Sequence, residues 1–178
     1  LTWAKRTGDK EAAEYLQKCE EIISEGLRKV NVRDGLWIVS SEVEKFLGDE
    51  PSRILTLERA VSESPGSVIA RYLLGRIYRQ TNQPAKALEV LEPVIRNHPE
   101  EFRACIEYAR ALLSNGEPLP KAIAILNLGT RFGFGDSRFV ATLGGLLFLS
   151  EDYSEAERVF AESVKRAFHC FRVSSARR

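Results

Sequence analysis

The side chains best suited to metal binding or nucleophilic chemistry are His98, His169, Cys19, Cys105 and Cys170. Their spacing supplies neither. No CxxC pair occurs, and no Cys or His set has the spacing of a zinc site. No Ser/His/Asp or Cys/His arrangement can be assembled with any specificity. His98 precedes a proline, and His169 lies near the end of the last helical stretch, where the helix dipole favours an imidazolium. The single glycine-rich stretch, Gly129 to Asp136, lacks a preceding strand and a Gly-Lys-Ser/Thr ending, so it does not read as a phosphate cradle. It reads as a helix C-cap and turn, with glycine supplying positive φ. Carboxylates such as Glu89, Glu92 and Glu100 sit on helix faces as solvated charges. The expectation is a chain that is not an enzyme, with no catalytic, cofactor-binding or metal-binding residue.

The 178 residues carry 26 Lys plus Arg against 25 Asp plus Glu, a net charge of +1. With 44% hydrophobic and 29% charged residues, the composition is that of a folded globular chain rather than a disordered one. The near-neutral charge disfavours nucleic acid as a partner. No apolar run approaches the ~18 residues a membrane span needs. An odd number of cysteines without pairs points to a reducing, cytoplasmic setting. No methionine occurs, even at position 1, so a longer translation product is expected.

Periodicity is more informative. Pro65 and Pro99 stand 34 residues apart, and Gly75 and Gly144 stand 69 apart, two such periods plus one. The extra residue is assigned to the loop Asn115 to Pro120. Within each period, apolar residues recur at helical spacing twice, as at Leu74, Ile77 and Tyr78, then Ala87, Leu91, Val94 and Ile95. Pro51, Pro84 and Pro120 are placed to open second helices, where a missing N–H costs nothing. Asp152 with Glu155 has capping-box spacing. Pro65 and Pro99 close their periods, since the residue before proline leaves the α region. Small residues at Gly75 and Gly144, with Ala87, Ala122 and Ala156 opposite, allow close approach of paired helices. The segments predicted are an N-terminal helix or partial repeat at 1–33, four helix pairs at 34–67, 68–101, 102–136 and 137–170, and a tail at 171–178.

This pattern resembles the tetratricopeptide repeat, whose signature runs aromatic–x2–Leu–Gly–x2–Tyr, then Ala, a large apolar residue, Ala and Pro. Segment 68–101 matches at Leu74, Gly75, Tyr78, Ala87, Leu91 and Pro99. Arg71 replaces the first aromatic and Val94 the late alanine. Segment 34–67 matches at Trp37, Leu57, Ala60 and Pro65, with Ser40 and Ser41 where Leu-Gly is expected. Segment 102–136 keeps Tyr108, Ala109, Ala122 and Leu126. Segment 137–170 keeps Leu143, Gly144, Ala156 and Phe160, with Phe168 for the proline. The resemblance implies an all-α fold, a right-handed α-solenoid of antiparallel helix pairs.

It also implies that first helices line a concave groove. On Ile69 to Gln80 the core side takes Leu74, Ile77 and Tyr78, leaving Tyr72, Arg76 and Arg79 on one face. The same phase assigns Arg103, Ile106 and Arg110 to the groove from the next repeat. Ile38, Glu42 and Lys45 come from the one before, and Arg138, Thr142, Gly145 and Phe148 from the last. Arginine forks suit carboxylates or phosphates. The competing reading is a charged face whose arginines pair with Glu107 or Glu42. Ile38, Glu42 and Glu107 stand where a carboxylate clamp for heat-shock chaperone tails would need Lys, Asn and Arg, which disfavours that function. The expected function is non-catalytic binding of an acidic protein or peptide partner, an extended peptide or partner helix, in the groove. The alternative is a regulatory or sensor arm of a larger multidomain enzyme. Large apolar residues near the ends, Trp3, Tyr15, Leu16, Phe168 and Phe171, predict self-association through a terminal helix.

Overall fold

The structure, a computed structural model, describes residues 10–29 and 34–175. Among the described residues there are nine helices and no strand. They are α1 (Lys10–Lys29), α2 (Asp34–Leu47), α3 (Glu50–Glu63), α4 (Val68–Gln80), α5 (Pro84–Asn97), α6 (Phe102–Ser114), α7 (Leu119–Gly133), α8 (Ser137–Leu149) and α9 (Tyr153–Ser175). Within each unit, loops of a few residues bring helices such as α2 and α3, α6 and α7, and α8 and α9 together as neighbours. The stretch Leu1–Arg6, Trp3 and the end of the tail lie outside the described residues, as do the side chains of Leu16, Phe168, His169, Cys170 and Phe171.

Helix starts follow local chemistry. Pro51, Pro84 and Pro120 occupy the first turns of α3, α5 and α7. Asp49 accepts from the Ser52 N–H at 3.1 Å, and Asp152 accepts from the Glu155 N–H at 3.2 Å. The expected box at Asp152 is half made, because the Glu155 carboxylate turns to Arg158 instead. Asp136 caps α8 through the N–H groups of Arg138 and Phe139 at 2.9 and 3.3 Å. The Arg138 guanidinium, followed by these N–H groups, holds the Asp136 carboxyl below the usual carboxylate range. At the other ends, Ser64 and His98 leave the α region just before Pro65 and Pro99, with φ/ψ of −133°/76° and −135°/61°.

Every loop that joins a first helix to its second contains one left-handed residue: Gly48 (φ 69°), Asn82 (58°), Gly116 (81°) and Glu151 (64°). Each donates its N–H to the carbonyl three residues back, at 3.1 to 3.2 Å. The next residue, at Asp49, Glu117 and Asp152, donates to the carbonyl five back, which completes a Schellman closure. These four residues recur at intervals of 34, 34 and 35. The extra residue lies between Gly116 and Leu119, since the other three loops reach their second helix in two steps.

The chain divides into two compact units, Leu1–Tyr78 and Arg79–Arg178. In the first, α1 packs on α2 and α2 on α3. Ile23 is buried on α1, and Gly26 lets that helix approach Leu36, whose Cδ1 would lie 3.1 Å from an added Cβ. Leu57, Ala60, Ala70, Leu74 and Ile77 are fully buried, and the Tyr78 hydroxyl reaches the Glu58 carboxylate.

In the second unit, α5 packs on α6, α6 on α7, α7 on α8 and α8 on α9, and α6 also touches α8. Its core is built on Leu91, Val94, Cys105, Leu112, Leu126, Phe139, Leu143 and Val159. Phe139 meets Phe102 and Phe134 edge to face, with ring centroids 6.0 and 6.3 Å apart. Gly144 does what its place in the pattern requires: a Cβ there would strike the ring of Phe160 on the paired helix. The Gly129 to Asp136 stretch holds the end of α7 and the turn before α8, as expected, but none of its glycines has positive φ. Gly129 and Gly133 lie inside α7, buried, and neither has positive φ. They are there so that α7 can lie close to Phe102 and Phe139.

Candidate functional site

The residues assigned to the groove divide between the units. Tyr72 and Arg76, half-buried on α4, belong to the first. Arg79, Arg103, Ile106 and Arg110 belong to the second, where α6 supplies three of them. Arg103, Glu107 and Arg110 follow one another at four- and three-residue spacing, one helix face.

Glu107 organises this face. Its side chain is 8% exposed, and it accepts from the Arg79 Nε at 2.7 Å. Arg110 places Nη1 at 3.9 Å from the other carboxylate oxygen and is 41% exposed. From its second nitrogen Arg110 donates to the Thr142 hydroxyl at 3.0 Å, and Thr142 donates in turn to the Arg138 carbonyl at 2.7 Å. This chain of bonds ties α6 to α8. Two guanidiniums therefore share one carboxylate, and one positive charge is left over.

Arg103 is exposed, with its guanidinium 5.8 Å from the centroid of the Phe102 ring. Arg138 is held by Asp136 at 2.8 Å. Further along α8, Gly145 faces open space, with nothing within 4 Å of an added Cβ. Phe148 is 60% exposed and packs its ring edge to face with Tyr153. Ile106 is different: only 4% exposed, it is part of the core. On the first unit Glu42 pairs with Lys45 at 2.9 Å and Arg53 at 3.5 Å, so that carboxylate serves a local ion cluster.

Of the candidate nucleophiles, Cys19, Cys105 and His98 have described side chains, and Cys19 is exposed. Cys105 is fully buried, and burial pushes its thiol up to about 11. His98 places Nδ1 3.2 Å from Glu100, an exposed pair in the turn before α6. Among the described residues, no three His, Cys, Asp or Glu side chains are grouped to hold a metal ion, and no helix is long and apolar enough to cross a membrane.

Residues 54–101 match the family model of the tetratricopeptide repeat. Within that stretch the sequence itself carries the likeness to the tetratricopeptide repeat. Solved structures extend the likeness over the chain. A crystal structure of MamA aligns with a TM-score of 0.69 at 17% identity, over 95% of this chain and 95% of that one. MamA from Desulfovibrio magneticus RS-1, residue 41 to its end, aligns at 0.63 and 20% identity, over 86% and 91%. YrrB, described as a TPR protein with an unusual peptide-binding site, aligns at 0.63 and 15%, over 87% and 79%. At these identities the likeness is one of fold. No curated protein matches the chain in sequence.

Proposed function

We propose that this chain is a tetratricopeptide-repeat protein and a non-catalytic interaction module, working in a reducing, cytoplasmic setting. Its organisation is a helix at 1–33 followed by repeats at 34–67, 68–101, 102–136 and 137–170, with a tail after them. The recurring left-handed turn at 34, 34 and 35 residues supports that division. The occupant is an extended acidic peptide or the acidic face of a partner helix, lying along α6 and α8 of the second unit. The observation that carries the reading is the two-to-one ratio of guanidiniums to carboxylate around Glu107, with Arg103 one turn away. A partner carboxylate can accept from Arg110, whose own ion pair is long and half open to water, and from Arg103. Gly145 leaves backbone-level space beside them, and Phe148 offers an apolar anchor. The peptide-binding site described for YrrB is a precedent for this use of the fold.

The test is titration calorimetry with an array of Asp/Glu-rich peptides against the native chain and Arg103→Glu/Arg110→Glu. Affinity should fall by roughly 1–3 kcal/mol, the scale of lost charge-assisted bonds. The melting temperature of the double variant should shift little. Equal binding of acidic peptides by both proteins, or unfolding of the double variant, ends the reading.

A further inference from the structure

A polar cavity of about 360 Å³ opens within the first unit, between α1, α2 and α3. Its wall on α2 is Trp37, Ser40 and Glu44, which follow one another at three- and four-residue spacing on one helix face. Thr56 and Arg59, one turn apart, close it from α3, and Ile23 of α1 and Val43 of α2 supply its apolar side. Bonds between the helices fix these groups. The Thr56 hydroxyl, on a residue only 8% exposed, donates to Glu44 Oε1 at 2.6 Å. The Trp37 Nε1 donates to Glu63 of α3 at 2.9 Å, which sets the tilt of the indole. The Arg59 guanidinium lies over that ring, 5.9 Å from its centroid. A carboxylate and a guanidinium thus line one cavity without pairing with each other. Among the described residues no carboxylate forms an ion pair with Arg59.

Glu44 is bonded to Thr56, one turn of α3 before Arg59, so the two charges face the cavity from adjacent turns. Opposite charges so placed suit a ligand that carries both. The volume lies near the low end of the ~300–1,000 Å³ typical of small-molecule sites, which is room for a small metabolite rather than a large cofactor. We propose that this cavity binds a free α-amino acid. Its carboxylate accepts a forked pair of bonds from Arg59, and its ammonium donates to Glu44 and to the Ser40 hydroxyl. Glu44 keeps its bond from Thr56, since a carboxylate offers about four acceptor sites. The ligand's side chain lies against Ile23 and Val43, which favours an aliphatic amino acid over a charged one. A lone cation would meet Glu44 but be repelled by Arg59, and a lone anion would meet the reverse. The site belongs to the first unit and shares no residue with the face around Glu107.

Trp37 reports on the cavity, and Trp3 is the other tryptophan of the chain. In a Trp3→Phe background, titration with leucine should change the Trp37 fluorescence and saturate with a Kd of about 1 mM or tighter. N-acetylleucine lacks the ammonium and leucinamide lacks the carboxylate, so each should bind roughly tenfold more weakly or worse. Arg59→Gln alters an exposed position and should melt like the parent. It should bind leucine and leucinamide equally, because the group that tells them apart is gone. Glu44→Gln can still accept from Thr56, and it should bind leucine and N-acetylleucine equally. If leucine, isoleucine, valine and phenylalanine at ~10 mM all leave the fluorescence and the melting temperature unchanged, the proposal fails. A parent protein that binds leucinamide as tightly as leucine overturns it, as does an Arg59→Gln variant that still prefers leucine. Tighter binding of a lysine blocked at both ends than of leucine also overturns it, and would make the cavity a socket for a partner's cationic side chain.

Discussion

The ring of Phe139 fills the space that a side chain at Gly133 would need: an added Cβ would fall 2.6 Å from both of its Cδ carbons. Phe139 is fully buried and wedged between Phe102 and Phe134, so its ring cannot swing aside. Gly133→Ala should therefore destabilise the chain by roughly 1–3 kcal/mol, the usual cost of overpacking. Gly145→Ala is the control. It is a mid-helix glycine with open space around it and should gain about 0.5–1 kcal/mol from helix propensity. Chemical denaturation of both variants checks this. A neutral Gly133→Ala would mean that α7 and α8 are held less closely than described.

The four left-handed turns offer a second comparison. Glycine occupies this conformation freely at Gly48 and Gly116, whereas Asn82 and Glu151 hold it with a side chain. A left-handed non-glycine residue costs roughly 1 kcal/mol, less for asparagine. Glu151→Gly should stabilise the protein by up to about 1 kcal/mol, and Gly116→Ala should destabilise it by a similar amount. Thermal melts of the two variants should move in opposite directions. Movement in the same direction would show that these loops do not share one geometry.

These turns also mark where sequence reasoning stopped. Prolines and helical periodicity make the helix starts legible, because both act within one turn of backbone. The left-handed position is filled by Gly, Asn, Gly and Glu, so no residue type betrays its recurrence. Gly129 and Gly133 resemble a turn in composition, yet their spacing of four is that of one helix face turned toward a neighbour. Ile106 has the phase of a groove residue, but α6 touches α5, α7 and α8 together, which leaves only a narrow strip of it exposed. The arginines are visible in sequence, and so is Glu107 as a partner, which pairs with Arg79 across 28 residues; Thr142, 32 residues from Arg110, is not.

Cys105 gives a prediction with a pH dependence. Burial raises its thiol from an ordinary value of 9.0 to about 11. The folded state thus holds this proton more tightly than the unfolded state. The associated stability is fully present below pH 9 and is lost as pH rises through about 11, a total of roughly 2–3 kcal/mol. In a Cys170→Ser background at pH 8, a thiol reagent should modify exposed Cys19 at once and Cys105 only as the chain unfolds. Stability measured from pH 8 to 11 should fall less steeply in Cys105→Ala than in the parent. Rapid modification of Cys105 in the folded protein would contradict its burial.

Glu107 is where stability and recognition are expected to oppose each other. Its carboxylate is nearly buried and holds both Arg79 and Arg110, so Glu107→Gln keeps the shape and removes the charge. Losing one partner of a buried pair is costly, but here the arginines are 21% and 41% exposed and can turn to water. The expected destabilisation is therefore only about 1–2 kcal/mol. The same change releases two guanidiniums from an internal competitor. An acidic peptide lying along α6 should then bind more tightly, by about 1 kcal/mol, and with a steeper dependence on salt. Denaturation and peptide titration of one variant separate the possibilities. A loss of stability with a gain in affinity identifies Arg79 and Arg110 as partner-facing groups that Glu107 holds in reserve. A loss of stability with unchanged affinity would leave them as struts between helices, and the acidic partner would have to be sought on another face.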